Sequence, residues 1–182
     1  MGNDSVIKYI QVVGLQRSGT TWLHSLLKHN FVVSMLPVCY GPPPLPSSHF
    51  VLTVVIKKDL DKWLDSIERN HANFYEWYPE LYAEGGLNTP ALKDLHQEFY
   101  DKWSDCACES SNVVFVNYLD LLGNTEAFLE QLQRDYDLRD KSDWTGRTSK
   151  WLTNIGPPFS HKRRAYYLRG TKYEPRENQP QG

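Results

Sequence analysis

A glycine-bounded stretch near the start of the chain carries residue types that could bind a phosphate group. It runs from Gly14 to Thr21, reads GLQRSGTT, and has nearly the spacing of the phosphate-binding P-loop, G-x-x-x-x-G-K-[ST]. Thr20 occupies the lysine position, and a cation stands earlier, at Arg17. Backbone N–H groups in a turn that leads into a helix bind anions even without a lysine. The spacing therefore predicts a site for a phosphate-like group.

The side chains of this loop restrict the chemistry further. The guanidinium of Arg17 is a fork of donors suited to two oxygens of an oxyanion. In P-loop kinases and ATPases the lysine reaches the β- and γ-phosphates, while the Ser or Thr holds Mg²⁺. With Thr20 in the lysine position, the loop suits a 5′-phosphate group better than Mg²⁺-dependent transfer of a γ-phosphoryl group.

The stretch RSGTTW, which ends at Trp22, resembles the 5′-phosphosulfate loop of sulfotransferases, where Lys or Arg precedes S-G-T-T. The resemblance implies a P-loop-like fold, 3′-phosphoadenosine 5′-phosphosulfate (PAPS) as the sulfuryl donor, PAP as its product, and no bound metal. It implies that Arg17 stabilises the leaving phosphate. Trp22 offers a flat face on which adenine could stack, or else it packs in the core. The residues expected to hold the 5′ end of the donor are Arg17, Ser18, Gly19, Thr20 and Thr21.

Sulfotransferases bind the donor's 3′-phosphate through an Arg and a Ser eight positions apart. Lys58 and Ser66 have this separation here, directly after a strand, so the resemblance assigns them to the 3′-phosphate. A lysine in place of the arginine supplies charge but not the planar fork.

Two later segments add to the resemblance. VVFVNYLDLL is similar to the family's strand followed by Y-E-D-L, although Leu119 replaces the usual Glu. The resemblance implies that Tyr118 lies near the adenine; core packing accounts for Tyr118 equally well. SHKRRAYY is similar to the basic loop that closes over the 3′-phosphate in the family. Its cations are Lys162, Arg163 and Arg164.

Sulfuryl transfer also needs a base that takes the proton of the acceptor. The family uses a His or a Glu beyond the first helix, but residues 30–48 contain no acid. A histidine titrates near neutral pH, which makes His49 the predicted base. The fallback candidates are His24, His29, Asp59, Glu68 and His71.

The hydrophobic pattern predicts the elements that must position these residues. Strand-like runs at 6–13, 31–36, 49–58 and 112–118 alternate with helix-like patterns that begin at Gly19, after Asp59, and at 91–103 and 124–138. The helix after Asp59 could continue past His71 towards Tyr78, and the proline-rich segment 37–48 is a loop that could act as a lid. We therefore expect an α/β fold in three layers, P-loop-like, with a central parallel sheet flanked by helices. Residues 1–170 are expected to form one sulfotransferase-like domain, and the polar residues 171–182 a flexible tail.

The composition is that of an ordinary globular domain. The 182 residues carry a formal net charge of −2, so no general basic field favours nucleic acid. The three cysteines are an odd number and predict reduced thiols rather than a disulfide framework. With no secretory signal or membrane-spanning run, the chain is expected to be soluble and cytoplasmic.

The leading hypothesis is thus a PAPS-dependent sulfotransferase that acts on a hydroxyl or amine of a small molecule, glycan or peptide. One alternative is a nucleotide or small-molecule kinase, with Asp120 as its best acidic Mg²⁺ partner; Thr20 counts against it. The other is a non-catalytic module that binds PAP or PAPS. The sequence does not identify the acceptor or the oligomeric state.

Overall fold

The computed structural model of the chain describes residues 7–43, 49–69, 81–83, 86–142, 149–153 and 155. This part of the chain contains both strands and helices. The strands are β1 (Tyr9–Val13), β2 (Ser34–Met35), β3 (Val51–Lys57), β4 (Tyr82–Ala83), β5 (Gly86–Leu87) and β6 (Val113–Asn117). The helices are α1 (Thr20–Asn30), α2 (Leu60–Glu68), α3 (Thr89–Glu109), α4 (Tyr118–Gly123) and α5 (Thr125–Tyr136).

Four strands form a parallel sheet in the order β2-β1-β3-β6. β1 pairs with β3 along its whole length, so that Val13 lies beside Val55. The last pair between β3 and β6 is Lys57 with Asn117. The carboxyl ends of β1, β3 and β6 therefore meet at one edge of the sheet. The loop after β1 begins at this edge, and Lys58 and Tyr118 lie there.

Each face of the sheet is covered by helices. One buried cluster joins Ile10 and Val54 to α1, α4 and α5; the other joins Val13 and Val55 to α2 and α3. Alternate residues of a strand point to opposite faces, which is why β3 contributes to both clusters. The predicted α/β fold with a central parallel sheet flanked by helices is confirmed.

Helix boundaries depend on capping that the periodicity alone does not reveal. α3 starts earlier than predicted, at Thr89, because the side chain of Asn88 accepts a hydrogen bond from the N–H of Ala91 at 3.3 Å and a proline occupies the first turn. α4 was not predicted; Asn117 caps it by accepting from the N–H of Leu119 at 2.8 Å. Among the described helices, none is both long and apolar enough to cross a membrane.

Some predicted features fall outside the described residues. They are the continuation of α2 towards Tyr78, most of the proline-rich loop's second half (44–48), and the tail at 171–182.

Candidate functional site

The loop after β1 turns tightly against the end of β3. The N–H of Ser18 donates to the carbonyl of Leu15 at 3.1 Å, and the Ser18 hydroxyl donates to the same oxygen at 2.6 Å. A Cβ atom on Gly14 would lie 2.7 Å from the carbonyl oxygen of Ile56. Glycine is therefore required at position 14 by the close approach of two backbones.

Two residues of the loop have left-handed backbone conformations. Arg17 has φ 70° and Gly19 has φ 99°. A Cβ on Gly19 would also lie 2.7 Å from two ring carbons of Tyr118. A non-glycine residue in this conformation is strained, and such strain concentrates at ligand sites.

The N-terminus of α1 follows directly and is left available to an anion. Gly19 is its N-cap, no side chain caps it, and its first turn contains no acidic residue. The N–H groups of such a turn and the positive end of the helix dipole favour a bound phosphate. The predicted loop thus has the backbone geometry of an anion site.

The loop side chains differ in their access to that site. Arg17 is partly buried and Thr21 is exposed, whereas Ser18 is 0% and Thr20 3% exposed. Because the Ser18 hydroxyl points into the turn, it stabilises the loop, and contact with a bridging oxygen would require it to rotate away from Leu15.

The structure bears on the two interpretations of Trp22. Its side chain is 1% exposed, belongs to the core cluster with α1, and meets the ring of Tyr118 edge-on with 6.5 Å between centroids. A buried indole has no open face for an adenine. Of the two interpretations of Trp22, core packing is the one that fits the geometry.

Lys58 and Ser66 are brought together, and both lie beside the loop. The Nζ of Lys58 donates to the Ser66 hydroxyl at 2.6 Å and to the carbonyl of Arg17 at 3.3 Å. The Ser66 hydroxyl in turn donates to the carbonyl of Lys62 at 3.0 Å. Lys58 follows β3 directly and Ser66 lies two turns into α2, so the helix start fixes their separation.

The ammonium group of Lys58 lies in an unfavourable environment for a charge. Its side chain is 4% exposed, and burial lowers the pKa of Lys58 to about 7. The nearby cations Arg69 and Arg17 lower this pKa further, while Asp65 partly opposes them. A bound anion would raise the pKa of Lys58 again, because its negative charge favours the protonated amine.

The ring of Tyr118 packs against both the loop and Lys58. The Lys58 Nζ lies 4.6 Å from the centroid of its ring, and the ring is 2% exposed. The structure therefore places Tyr118 at the site, in contact with both cation and loop, with its ring covered rather than open to an adenine.

Three aromatic residues that sequence reasoning had not assigned to the site hold it in place. Trp63 Nε1 donates to the carbonyl of Gln16 at 2.7 Å, and the Tyr100 hydroxyl donates to the carbonyl of Ile56 at 3.0 Å. The ring of His96 packs against both Trp63 and Tyr100. Trp63 lies on the buried face of α2, and no sequence signal gives its hydrogen bond.

The ring of His96 forms a hydrogen bond with the backbone of Lys58. Its Nε2 lies 2.8 Å from the carbonyl of Lys58, and burial is the main cause of a lowered His96 pKa. The burial of Tyr100 raises its pKa to about 12. Both groups are therefore neutral near pH 7, and their role is to position the end of β3.

His49, the predicted base, lies far from the loop. His49 precedes β3, at the amino edge of the sheet, and its carbonyl accepts from Asn112 at 3.0 Å. The seven residues of β3 separate it from Lys58 by about 20 Å. This distance counts against His49 as the base.

The fallback candidates for the base also differ in their position relative to the loop. His29 lies at the far end of α1, and half-buried His24, whose pKa burial lowers, lies on the same helix. Glu68 ends α2. Asp59 follows Lys58 directly, and its exposed carboxylate accepts from Asn117 at 2.8 Å, so Asp59 lies at the carboxyl end of β3 and β6.

Some predicted site residues lie outside the described residues. They are His71, Lys162, Arg163 and Arg164. Within the ranges that are described, no group of three or more His, Cys, Asp or Glu residues could hold a metal ion. Cys106 and Cys108 lie on α3 as free thiols.

Comparisons of the chain with protein-family models, with curated proteins and with solved structures find no match. The function of the chain is therefore inferred from the loop, from Lys58 and Ser66, and from the residues that position them.

Proposed function

We propose that the chain is a sulfotransferase with a P-loop-like fold, which moves a sulfuryl group from PAPS to a hydroxyl or amine acceptor. The observation that carries this proposal is the convergence of the Arg17 loop with Lys58 and Ser66. The Lys58 Nζ is 3.3 Å from the Arg17 carbonyl although 41 positions separate the two residues. Two adjacent cationic sites suit a nucleoside that carries phosphate groups on both its 5′ and 3′ positions.

The 5′ group would be bound mainly by the backbone. Residues 18–21 form a turn that leads into the uncapped start of α1, and Arg17 adds a positive charge beside it. A threonine occupies the position of the P-loop lysine, so the loop lacks the charge that a γ-phosphoryl transfer needs. This composition favours a sulfated 5′-phosphate over Mg²⁺-ATP.

The reaction would exchange one bond to sulfur for another. The acceptor oxygen or nitrogen bonds to sulfur as the bond between sulfur and the bridging oxygen of the 5′-phosphate breaks. The electron pair stays on that oxygen, and Arg17 with the loop N–H groups stabilises the charge. The acceptor's proton passes to a base, and we assign this role to Asp59, because its carboxylate lies at the same sheet edge.

A second candidate function is a non-catalytic module that binds PAP or PAPS. The position of His49, at the opposite edge of the sheet from the loop, favours it. The loop, Lys58 and Ser66 would bind the nucleotide in the same way, and only turnover separates the two functions.

The test is release of PAP from PAPS in the presence of EDTA and a panel of acceptors: a sugar, a tyrosine peptide, a phenol and an amine. We expect protein-dependent PAP formation with at least one acceptor, lowered roughly 100-fold in Arg17→Ala and strongly lowered in Asp59→Asn. Arg134→Ala, on an exposed residue of α5, is the matched control and should retain activity. Binding without PAP formation would support the module, and binding of neither nucleotide would refute both functions.

A further inference from the structure

The hydroxyl of Ser66 lies between two cations. The Lys58 Nζ donates to it at 2.6 Å, and Nη2 of Arg69 donates to it at 3.5 Å. Nε of Arg69 donates to the carbonyl of Asp65 at 2.9 Å, which fixes the plane of the guanidinium. Ser66 and Arg69 are three positions apart at the end of α2, so their side chains project from the same face.

Positive charge exceeds negative charge around this hydroxyl. In the described part of the chain, the charges that act on Lys58 are three cations, Arg17 from the loop and Lys62 and Arg69 from α2, and one carboxylate, Asp65. Tyr118 of α4 presents the face of its ring. A phosphate beside Ser66 would be attracted by every one of these cations.

A lysine alone recognises a phosphate monoester with little geometric specificity. It is a point charge, whereas a guanidinium offers two parallel donors that match two phosphate oxygens. The chain has Lys58 where the resemblance predicts an arginine, yet a guanidinium reaches the same hydroxyl from the other end of α2.

We propose that Arg69 binds the donor's 3′-phosphate and supplies the guanidinium that is missing at position 58. This inference rests on the proposed function, since it concerns the second phosphate of the same nucleotide. Lys58 and Arg69 then hold opposite sides of the phosphate, and the Ser66 hydroxyl turns from the carbonyl of Lys62 to donate between them. Arg69 discriminates nucleotides with a 3′-phosphate from those with a free 3′-hydroxyl.

The experiment is calorimetric titration in EDTA with adenosine 3′,5′-bisphosphate, adenosine 2′,5′-bisphosphate and adenosine 5′-phosphate. The variants are Arg69→Met, Arg69→Lys and the control Arg134→Met, each first shown to be folded by its thermal transition. Arg69→Met should lower affinity for the 3′,5′-bisphosphate roughly 10- to 100-fold and leave affinity for the 5′-phosphate within about twofold. Arg69→Lys should recover part of this lost affinity. The control Arg134→Met should bind all three nucleotides as wild-type protein does.

The possible failures are distinguishable. If wild-type protein binds the 3′,5′-bisphosphate and Arg69→Met weakens both ligands equally, or neither, the role of Arg69 is refuted while the proposed function stands. If the 2′,5′- and 3′,5′-bisphosphates bind wild-type protein equally well, the 3′-phosphate discrimination is refuted. If wild-type protein binds none of the three nucleotides, the proposed function and this inference both fail.

Discussion

The buried amine of Lys58 should make the stability of the protein depend on pH. In the folded chain the pKa of Lys58 is lowered to about 7, from 10.5 for an ordinary lysine, chiefly by burial. Between these values the unfolded chain holds a proton that the folded chain has released. The unfolded state thus binds more protons, and the free energy of unfolding rises with pH across this window.

The magnitude follows from the shift. Each pKa unit is worth about 1.4 kcal/mol, so a shift from 10.5 to about 7 corresponds to a cost on the order of 5 kcal/mol when the site must carry its charge. From pH 7 to 8.5 the expected gain is roughly 2 kcal/mol. For a chain of this size that is about 3–8 °C in Tm.

The assay is thermal unfolding of wild-type protein and Lys58→Met at several pH values from 7 to 8.5. Higher pH is avoided because burial raises the pKa of Cys106 and Tyr100, whose ionisation then costs the folded state stability. The stability gap, which is the difference in the free energy of unfolding between wild type and Lys58→Met, should change by the stated amount. Wild type should gain stability relative to Lys58→Met as pH rises. Lys57→Met, at the exposed neighbouring position, should keep a constant gap. A constant gap for Lys58→Met as well would refute the buried, partly neutral lysine.

Three further predictions concern the same site. Because Arg17 has φ 70°, Arg17→Gly should be more stable than Arg17→Ala by about 1 kcal/mol in denaturant unfolding, and equal stabilities would argue against the left-handed loop. Gly19→Ala should lose at least about 2 kcal/mol from strain and the clash with Tyr118, whereas Gly123→Ala, where a Cβ meets nothing within 4 Å, should not; similar effects at both positions would contradict the loop packing. Binding of adenosine 3′,5′-bisphosphate at pH 8 should take up close to one proton at Lys58, seen as a dependence of the calorimetric enthalpy on the buffer, and Lys58→Met should abolish this dependence.

The sequence was most informative where a local pattern determines the structure. Strand β3 is a nearly continuous apolar run, helix α2 has a clear hydrophobic period, and the loop combines a known spacing with a glycine at the left-handed position 19. The separation of Lys58 and Ser66 could be read from the sequence because a strand end and one helix connect them. These features depend on few residues that are close along the chain.

Contacts between distant segments could not be predicted in this way. The bond of Trp63 to the loop and the stacking of His96 both depend on how α2 and α3 pack on the sheet. The chemistry of His49 suits a base, but the direction of β3 places it at the edge of the sheet opposite the loop. Arg69 lies outside the eight-residue spacing of Lys58 and Ser66, so no sequence pattern indicates its bond to Ser66.

The binding of adenosine 3′,5′-bisphosphate in excess EDTA tests the central claim most directly. We predict a calorimetric titration with micromolar or tighter affinity that is unaffected by EDTA, exceeds the affinity for Mg²⁺-ATP, and falls at least about tenfold in Arg17→Ala. No heat of binding, or an unchanged affinity in Arg17→Ala, would contradict a nucleotide site at the turn that begins at Gly14.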